Sequence, residues 1–250
     1  MEEHFLPYAL EWENEGTVPE HVWHLFNKHN MLLPNLKSPL PIKWLRRLGL
    51  NEILGVPVEE WDYLHTAIWV DERARTGISG PGASLSPGFA YGIPPILSFG
   101  SEELQARFLP ELLPGKKRCC IAITEPHAGS DVANIQTTAK KSADGKYYVL
   151  NGEKKWITNG IWSDYATMAV RTSGPGPSGI SVIVVPLKGH PGVTMRRLKV
   201  VSLHPSSSDT WRLWLTQHIR WASKPAEPPI LNLTMSKSLS RICSGSKAKA

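Results

Sequence analysis

Cysteine is scarce in this chain. Three occur in 250 residues: Cys119 and Cys120 are adjacent and Cys243 stands far off. There is no CxxC pair, so a zinc site or dithiol centre has no sequence support and no metal ligand is assigned. The same scarcity is expected of a reduced, intracellular compartment, with mitochondrion, peroxisome and cytoplasm left open. Long apolar runs are missing too. Nothing approaches the roughly 18 consecutive apolar residues of a membrane span. The opening Met-Glu-Glu-His carries neither a secretory leader nor an Arg-rich transit helix, and the closing Lys-Ala-Lys-Ala is not a peroxisomal address. Acidic side chains are rare in one region: beyond residue 200 only Asp209 and Glu227 occur, against seven basic residues.

What is present reads as a folded protein. A composition 41% apolar and 20% charged excludes wholesale disorder, and the length allows one large domain or two ordinary ones. The formal net charge is +6. Counted by region, residues 1–200 are nearly neutral at +1 and residues 201–250 hold +5. A basic nucleic-acid-binding module is the reading this suggests. The tail's charges are interspersed with Ser and Pro, which favours a solvated segment with no nucleic-acid partner.

Three textures follow one another. Residues 1–117 read as a helical domain. Thr17 and Glu20 have capping-box spacing with Pro19 in the first turn. Trp61, Leu64, Ile68 and Trp69 are placed as a helical apolar stripe, and Ser101 can cap a helix opening on Glu102 and Glu103. The Gly/Pro-rich segment Gly77–Pro95 reads mainly as loop, with short helical turns. Residues 118–201 change to strand period. Asp144-Gly145, Asn151-Gly152 and Asn159-Gly160 supply hairpin dipeptides, and Tyr165–Arg171, Ile180–Leu187 and Val193–Val200 add strands. The fold class expected is α+β: helices, then an antiparallel, barrel-like β-domain, incomplete, then an irregular tail at 202–250. Within that tail, Trp211 to Ile219 could make a short helix.

Two segments carry chemistry. Ile121-Ala122-Ile123-Thr124-Glu125-Pro126-His127-Ala128-Gly129-Ser130-Asp131 reads as a strand running into a turn and a small-residue loop. Such a loop exposes backbone N–H groups and lets a ligand approach closely. Alone, it reads equally as a capped turn between strands. Asn151-Gly-Glu-Lys-Lys-Trp156-Ile157-Thr158-Asn-Gly160 reads as a strand with Trp156 and Thr158 on one face. That pair offers a flat apolar wall and one hydrogen bond to a planar ring, or else an ordinary half-buried strand.

Taken together, Thr-Glu-Pro-x-Ala-Gly-Ser-Asp and Asn-Gly-x-Lys-x-Trp-Ile-Thr-Asn-Gly closely resemble the acyl-CoA dehydrogenase family. Phe99 to Gly115 and Tyr8 to Pro19 resemble its helical domain, so the likeness spans about residues 5–200. The resemblance implies FAD-dependent α,β-desaturation of an acyl-CoA thioester. A carboxylate removes the α proton and flavin N5 accepts the β hydride. It implies cofactor contacts from Ile121, Ala122, Ile123, Thr124, Gly129, Ser130, Trp156, Ile157 and Thr158, with Ser130 also touching substrate. Glu125, His127 and Asp131 are read as turn or loop residues, not catalytic ones. An electron-transfer flavoprotein as electron acceptor and a homo-oligomeric state are family habits.

The pattern departs after about Val200. The family's catalytic glutamate lies in a C-terminal helical domain without counterpart here, and neither Asp209 nor Glu227 sits on a convincing helix. No catalytic base is assigned. Residues from about 201 are read as the product of an unspliced intron or shifted frame. The rival expectation is therefore a catalytically inactive, truncated fragment with at most weak FAD or CoA binding.

Overall fold

The computed structural model describes residues 3–75, 79–145, 147–198 and 217–221. Among the described residues, seven α-helices come first: α1 Ala9–Glu15, α2 Glu20–Lys28, α3 Ile42–Arg47, α4 Tyr63–Ala74, α5 Ser79–Leu85, α6 Pro94–Phe99 and α7 Glu102–Leu112. A two-strand ribbon, β1 Glu52–Ile53 and β2 Val56–Pro57, separates α3 from α4. Val22, Trp23 and Phe26 of α2 meet Leu104, Phe108, Leu109 and Leu112 of α7 in one buried cluster. Ser101 caps α7 as its sequence implies, its Oγ accepting from Leu104 N at 3.2 Å.

Local details differ from the sequence reading in three places. Thr17 does not cap α2, whose N-cap is Pro19. The capping box that forms belongs to α4, where Asp62 Oδ1 accepts from Leu64 N at 2.9 Å and His65 N at 3.0 Å. The expected apolar stripe of α4 points outward: Leu64 is 67% and Ile68 55% exposed, whereas Trp69 is 7% exposed. Successive helical residues lie about 100° apart, so a stripe through Leu64 and Ile68 is not the face that carries Trp69. Finally, the Gly/Pro-rich segment is mostly helical. After α5 a π-helical turn at Gly88–Gly92 leads into α6. Glycine is required there: a Cβ on Gly88 would sit 2.5 Å from the Cys119 carbonyl oxygen.

The second unit is a seven-stranded sheet built from β3 Cys119–Ala122, β4 Thr138–Lys141, β5 Tyr148–Lys154, β6 Tyr165–Arg171, β7 Ile180–Pro186, β8 Val193–Arg197 and β9 Gln217–Trp221. Its order is β3-β6-β4-β5-β9-β8, with β7 also on β6. It is mixed, not purely antiparallel, because β3 and β4 both run parallel to β6. Strands β6 and β7 are covered on both faces, which explains their nearly continuous apolar sequence. Val184 belongs to the helical core, while Ile183 and Val185 join Ala166, Met168 and Val170 in a second cluster on the other face.

Of the three dipeptide turns, Asp144-Gly145 joins β4 to β5 as expected. Asn151-Gly152 does not turn the chain and lies inside β5. The β5 strand ends at Lys154, so the second half of the segment Asn151 to Gly160, read as strand from sequence, is loop. The tail also departs from expectation. Gln217–Trp221 is a strand whose backbone pairs with β5 from Gly152↔Trp221 to Lys154↔Ile219, and with β8 from Val193↔Trp221 to Arg197↔Gln217. Two strand edges otherwise open are thereby satisfied. The remainder of the 202–250 tail lies outside the described residues.

Candidate functional site

The site forms where β3 and β5 end. Strand β3 carries Ile121, half-buried, and Ala122, buried. Ile123 and Thr124 continue it, both half-buried. The chain then turns tightly: Glu125 N donates to Ala128 O at 3.0 Å and Ala128 N returns the bond to Glu125 O at 3.2 Å. Pro126 and His127 form the tip, the geometry that a Glu-Pro turn favours. Gly129 and Ser130 follow, exposed, and a Cβ on Gly129 would meet nothing within 4 Å. Beyond them Arg171 fixes the loop, its Nη2 donating to Ala133 O at 2.7 Å and its Nε to Ile135 O at 3.0 Å.

The second segment leaves β5 through Trp156, whose φ is +61°. A non-glycine residue in the left-handed region costs about 1–2 kcal/mol, strain of the kind that collects at functional sites. Trp156 is exposed, Ile157 is buried in the second core and Thr158 is half-buried. Trp156 is thus more exposed than its neighbours, but the strand expected to set Trp156 and Thr158 on one face ends before both. Asn159, also left-handed at φ +65°, is buried, and its Oδ1 has no hydrogen-bond partner among the described residues. An orphan acceptor of this kind suits a ligand N–H or an ordered water.

One backbone bond joins the two segments: Lys155 N donates to Thr124 O at 2.9 Å. Beneath it lies an ion pair. Lys154 Nζ donates to Glu125 Oε1 at 2.7 Å and to Ile123 O at 2.8 Å. Glu125 also accepts from Gln136 N at 2.6 Å and Thr137 N at 3.0 Å. His127 Nε2 stands 3.3 Å from the same carboxylate. Burial alone would raise the Glu125 carboxyl, but the Gln136 amide, the Lys154 ammonium and Thr137 outweigh it, and the group is held below its ordinary value. Burial draws the Lys154 ammonium down, opposed by Glu125.

Hydrogen bonds among the described residues therefore bring Ile123, Thr124 and the start of the Trp156–Thr158 loop together. They do not draw Ser130 into that group. Glu125 is a structural anchor beyond its turn; Gln136 and Thr137 are partners outside the two motifs, and Lys154 stands in its motif without a role assigned to it. A signal for Lys154 exists in β5, where Leu150, Gly152 and Lys154 share one face. With Leu150 inward, Lys154 is inward too, and a buried lysine requires an acceptor. Cys119 and Cys120 are not nucleophiles here: burial pushes the Cys119 thiol up to about 11 and raises Cys120 as well. Among the described residues there is no cluster of metal-ligating side chains, and no helix is long and apolar enough to cross a membrane.

Comparison with known proteins agrees with this architecture. The family model for the acyl-CoA dehydrogenase N-terminal domain matches residues 1–116, and that for the middle domain matches residues 120–212. The second match extends past residue 201. The chain is 70% identical over 198 residues to acyl-CoA dehydrogenase apdG of Emericella nidulans, covering 79% of this chain and 45% of that protein. It is 34% identical over 188 residues to the mitochondrial long-chain specific acyl-CoA dehydrogenase of Sus scrofa, covering 74% and 39%. The crystal structure of a probable acyl-CoA dehydrogenase from Mycobacterium abscessus superposes with a TM-score of 0.75 at 30% identity, over 97% of this chain and 57% of that one. The chain spans about half the length of the relatives it matches. With its helical unit and mixed sheet each matched by a family domain in the same order, the chain belongs to the acyl-CoA dehydrogenase family.

Proposed function

We propose that this chain carries the flavin-facing half of an FAD-dependent oxidoreductase that desaturates an acyl-CoA thioester between Cα and Cβ. The observation that carries the reading is the bond from Lys155 N to Thr124 O, which sets the two motif segments side by side. FAD is the cofactor this site takes. When bound, it supplies the acceptor for the substrate's β hydride. Trp156 offers an exposed ring face and Thr158 a hydroxyl, which together suit a planar heterocycle with a hydrogen-bonding edge. Ile121, Ala122, Ile123 and Thr124 form the opposing segment. Gly129 and Ser130, both exposed, are assigned to the elongated part of the cofactor, and Ser130 also to the CoA carrier portion.

Within the chain the work is orientation and exclusion of water. Ile157 anchors the loop in the second core, so Trp156 and Thr158 keep fixed positions. No proton-abstracting carboxylate is assigned. An electron-transfer flavoprotein is the class of partner that would reoxidise the flavin.

A second reading, flavin or CoA binding without turnover, is favoured by the state of Glu125. This carboxylate lies within the site but is locked by Lys154 and two amides, which leaves it unfit as a base. Purifying the chain, recording its visible absorbance and supplying acyl-CoA with an electron-accepting dye tests both readings. Bound flavin with dye reduction supports the first. Bound flavin without reduction supports the second. A colourless protein that takes up no added FAD overturns both.

A further inference from the structure

We propose that Glu125 and Lys154 are positioning residues for the cofactor: their buried contact sets the separation of the two flavin-facing segments. This rests on the reading of the site given above. Three separate stretches of chain meet at the pair. Ile123 and Glu125 follow β3, Gln136 and Thr137 precede β4, and Lys154 ends β5. The pair is almost fully withdrawn from water, Lys154 at 0% and Glu125 at 3% exposure. All of its bonds are directed. The ammonium holds one carboxylate oxygen and the Ile123 carbonyl. The carboxylate takes the two consecutive amides of Gln136 and Thr137.

The consequence is geometric. Ile123 and Glu125 flank Thr124, so Lys154 grips the Thr124 segment on both sides. The next residue, Lys155, bonds Thr124 O directly, and the one after that is the left-handed Trp156. The position of the Trp156–Thr158 loop relative to Thr124 is thus transmitted through two adjacent residues, one by side chain and one by backbone. The bond to Ile123 O satisfies a second donor of the buried ammonium and at the same time ties Ile123, on the other side of Thr124, to the end of β5. Among the described residues, His127, beside the same carboxylate and partly exposed, is the other titratable group in contact with Glu125.

Removing one partner leaves an uncompensated buried charge and endangers folding. The decisive variant is therefore the double one, Glu125→Gln with Lys154→Met. It removes both charges, keeps an acceptor for a backbone amide, keeps the length of the lysine stem and abolishes the donor to Ile123 O. Wild type, Lys154→Met and the double variant of the full chain are compared by thermal melting without ligand, by FAD titration and by amide hydrogen exchange. The expected result is a double variant that melts close to wild type but binds FAD about tenfold or more weakly, with faster exchange at 121–125 and 155–158 together. A folded double variant that binds FAD as wild type does, or whose exchange rises in one segment only, overturns the clamp. A wild-type chain that binds no FAD overturns the reading of the site itself, and is distinguished from the former by being seen before any substitution.

Discussion

Gly152 sits where a side chain has no room. Its φ is +145°, and an added Cβ would lie 2.6 Å from Thr137 Oγ1 and 2.7 Å from Thr137 Cα. One of these is backbone, so rotation of a side chain cannot relieve the clash. The close approach matters because Thr137 N donates to Glu125 and Thr137 Oγ1 donates to Glu153 O at 3.3 Å. Gly152→Ala is expected to cost about 2 kcal/mol or more, read as a lowered urea midpoint. Gly129→Ala is the contrast, since its Cβ meets open space. Its stability should stay within about 0.5 kcal/mol of wild type. An equal loss for both would mean that crowding at Thr137 is not what selects glycine in β5. Asn151-Gly152 resembles a hairpin signal for the same reason that it is not one. A glycine admitted for close approach and a glycine admitted for a turn are the same letter, and only the neighbour across the sheet distinguishes them.

Elements were legible where the pattern was local and strong. Tyr165–Arg171 reads as a strand from sequence and is one, and Ser101 caps α7 as its side chain implies. The motif segments were legible as motifs, but the bonds that join them were not, because Glu125 and Lys154 are 29 positions apart with nothing in their spacing to link them. In α4 a period could be read but not its partner: Leu64 and Ile68 repeat correctly and still face out. Leu64→Gln and Ile68→Gln should each leave the melting temperature of this chain nearly unchanged, a difference within about 0.5 kcal/mol. Trp69→Ala, which empties a buried site under the Arg73 guanidinium, should cost about 3 kcal/mol. The β9 strand was missed because its residues overlap the apolar stretch Trp211 to Ile219, which also fits a short helix; its assignment comes from pairing, not propensity. Both of its edges are hydrogen-bonded, so proline at Ile219 would remove an interior donor. Ile219→Pro should lower the unfolding midpoint and speed exchange of β5 and β8 amides, and unaltered exchange in those two strands would argue against the pairing.

At the scale of the whole molecule, the buried pair should appear in how stability depends on acid. The Glu125 carboxyl is held below its ordinary value of 4.5 by the Gln136 amide, Lys154 and Thr137, against the opposing effect of burial. A carboxyl depressed in the folded state binds its proton less readily there than in the unfolded chain. Its contribution is therefore complete above pH 4.5 and is lost as the pH falls from there through the lower folded value. Lys154 and His127 are the charged and titratable groups facing it, and neither replaces the carboxylate's negative charge. In Glu125→Gln the titrating group is gone and the Lys154 ammonium is left without its carboxylate, as it is in the wild type once acid has protonated Glu125. Urea unfolding of wild type and Glu125→Gln across a pH series should show wild type the more stable near neutrality. The gap should close as the pH drops below 4.5. A gap that stays constant into acid would mean that the carboxyl takes up its proton alike in the folded and the unfolded chain, and the clamp between the Thr124 and Trp156 segments would then lack the electrostatic half of its grip.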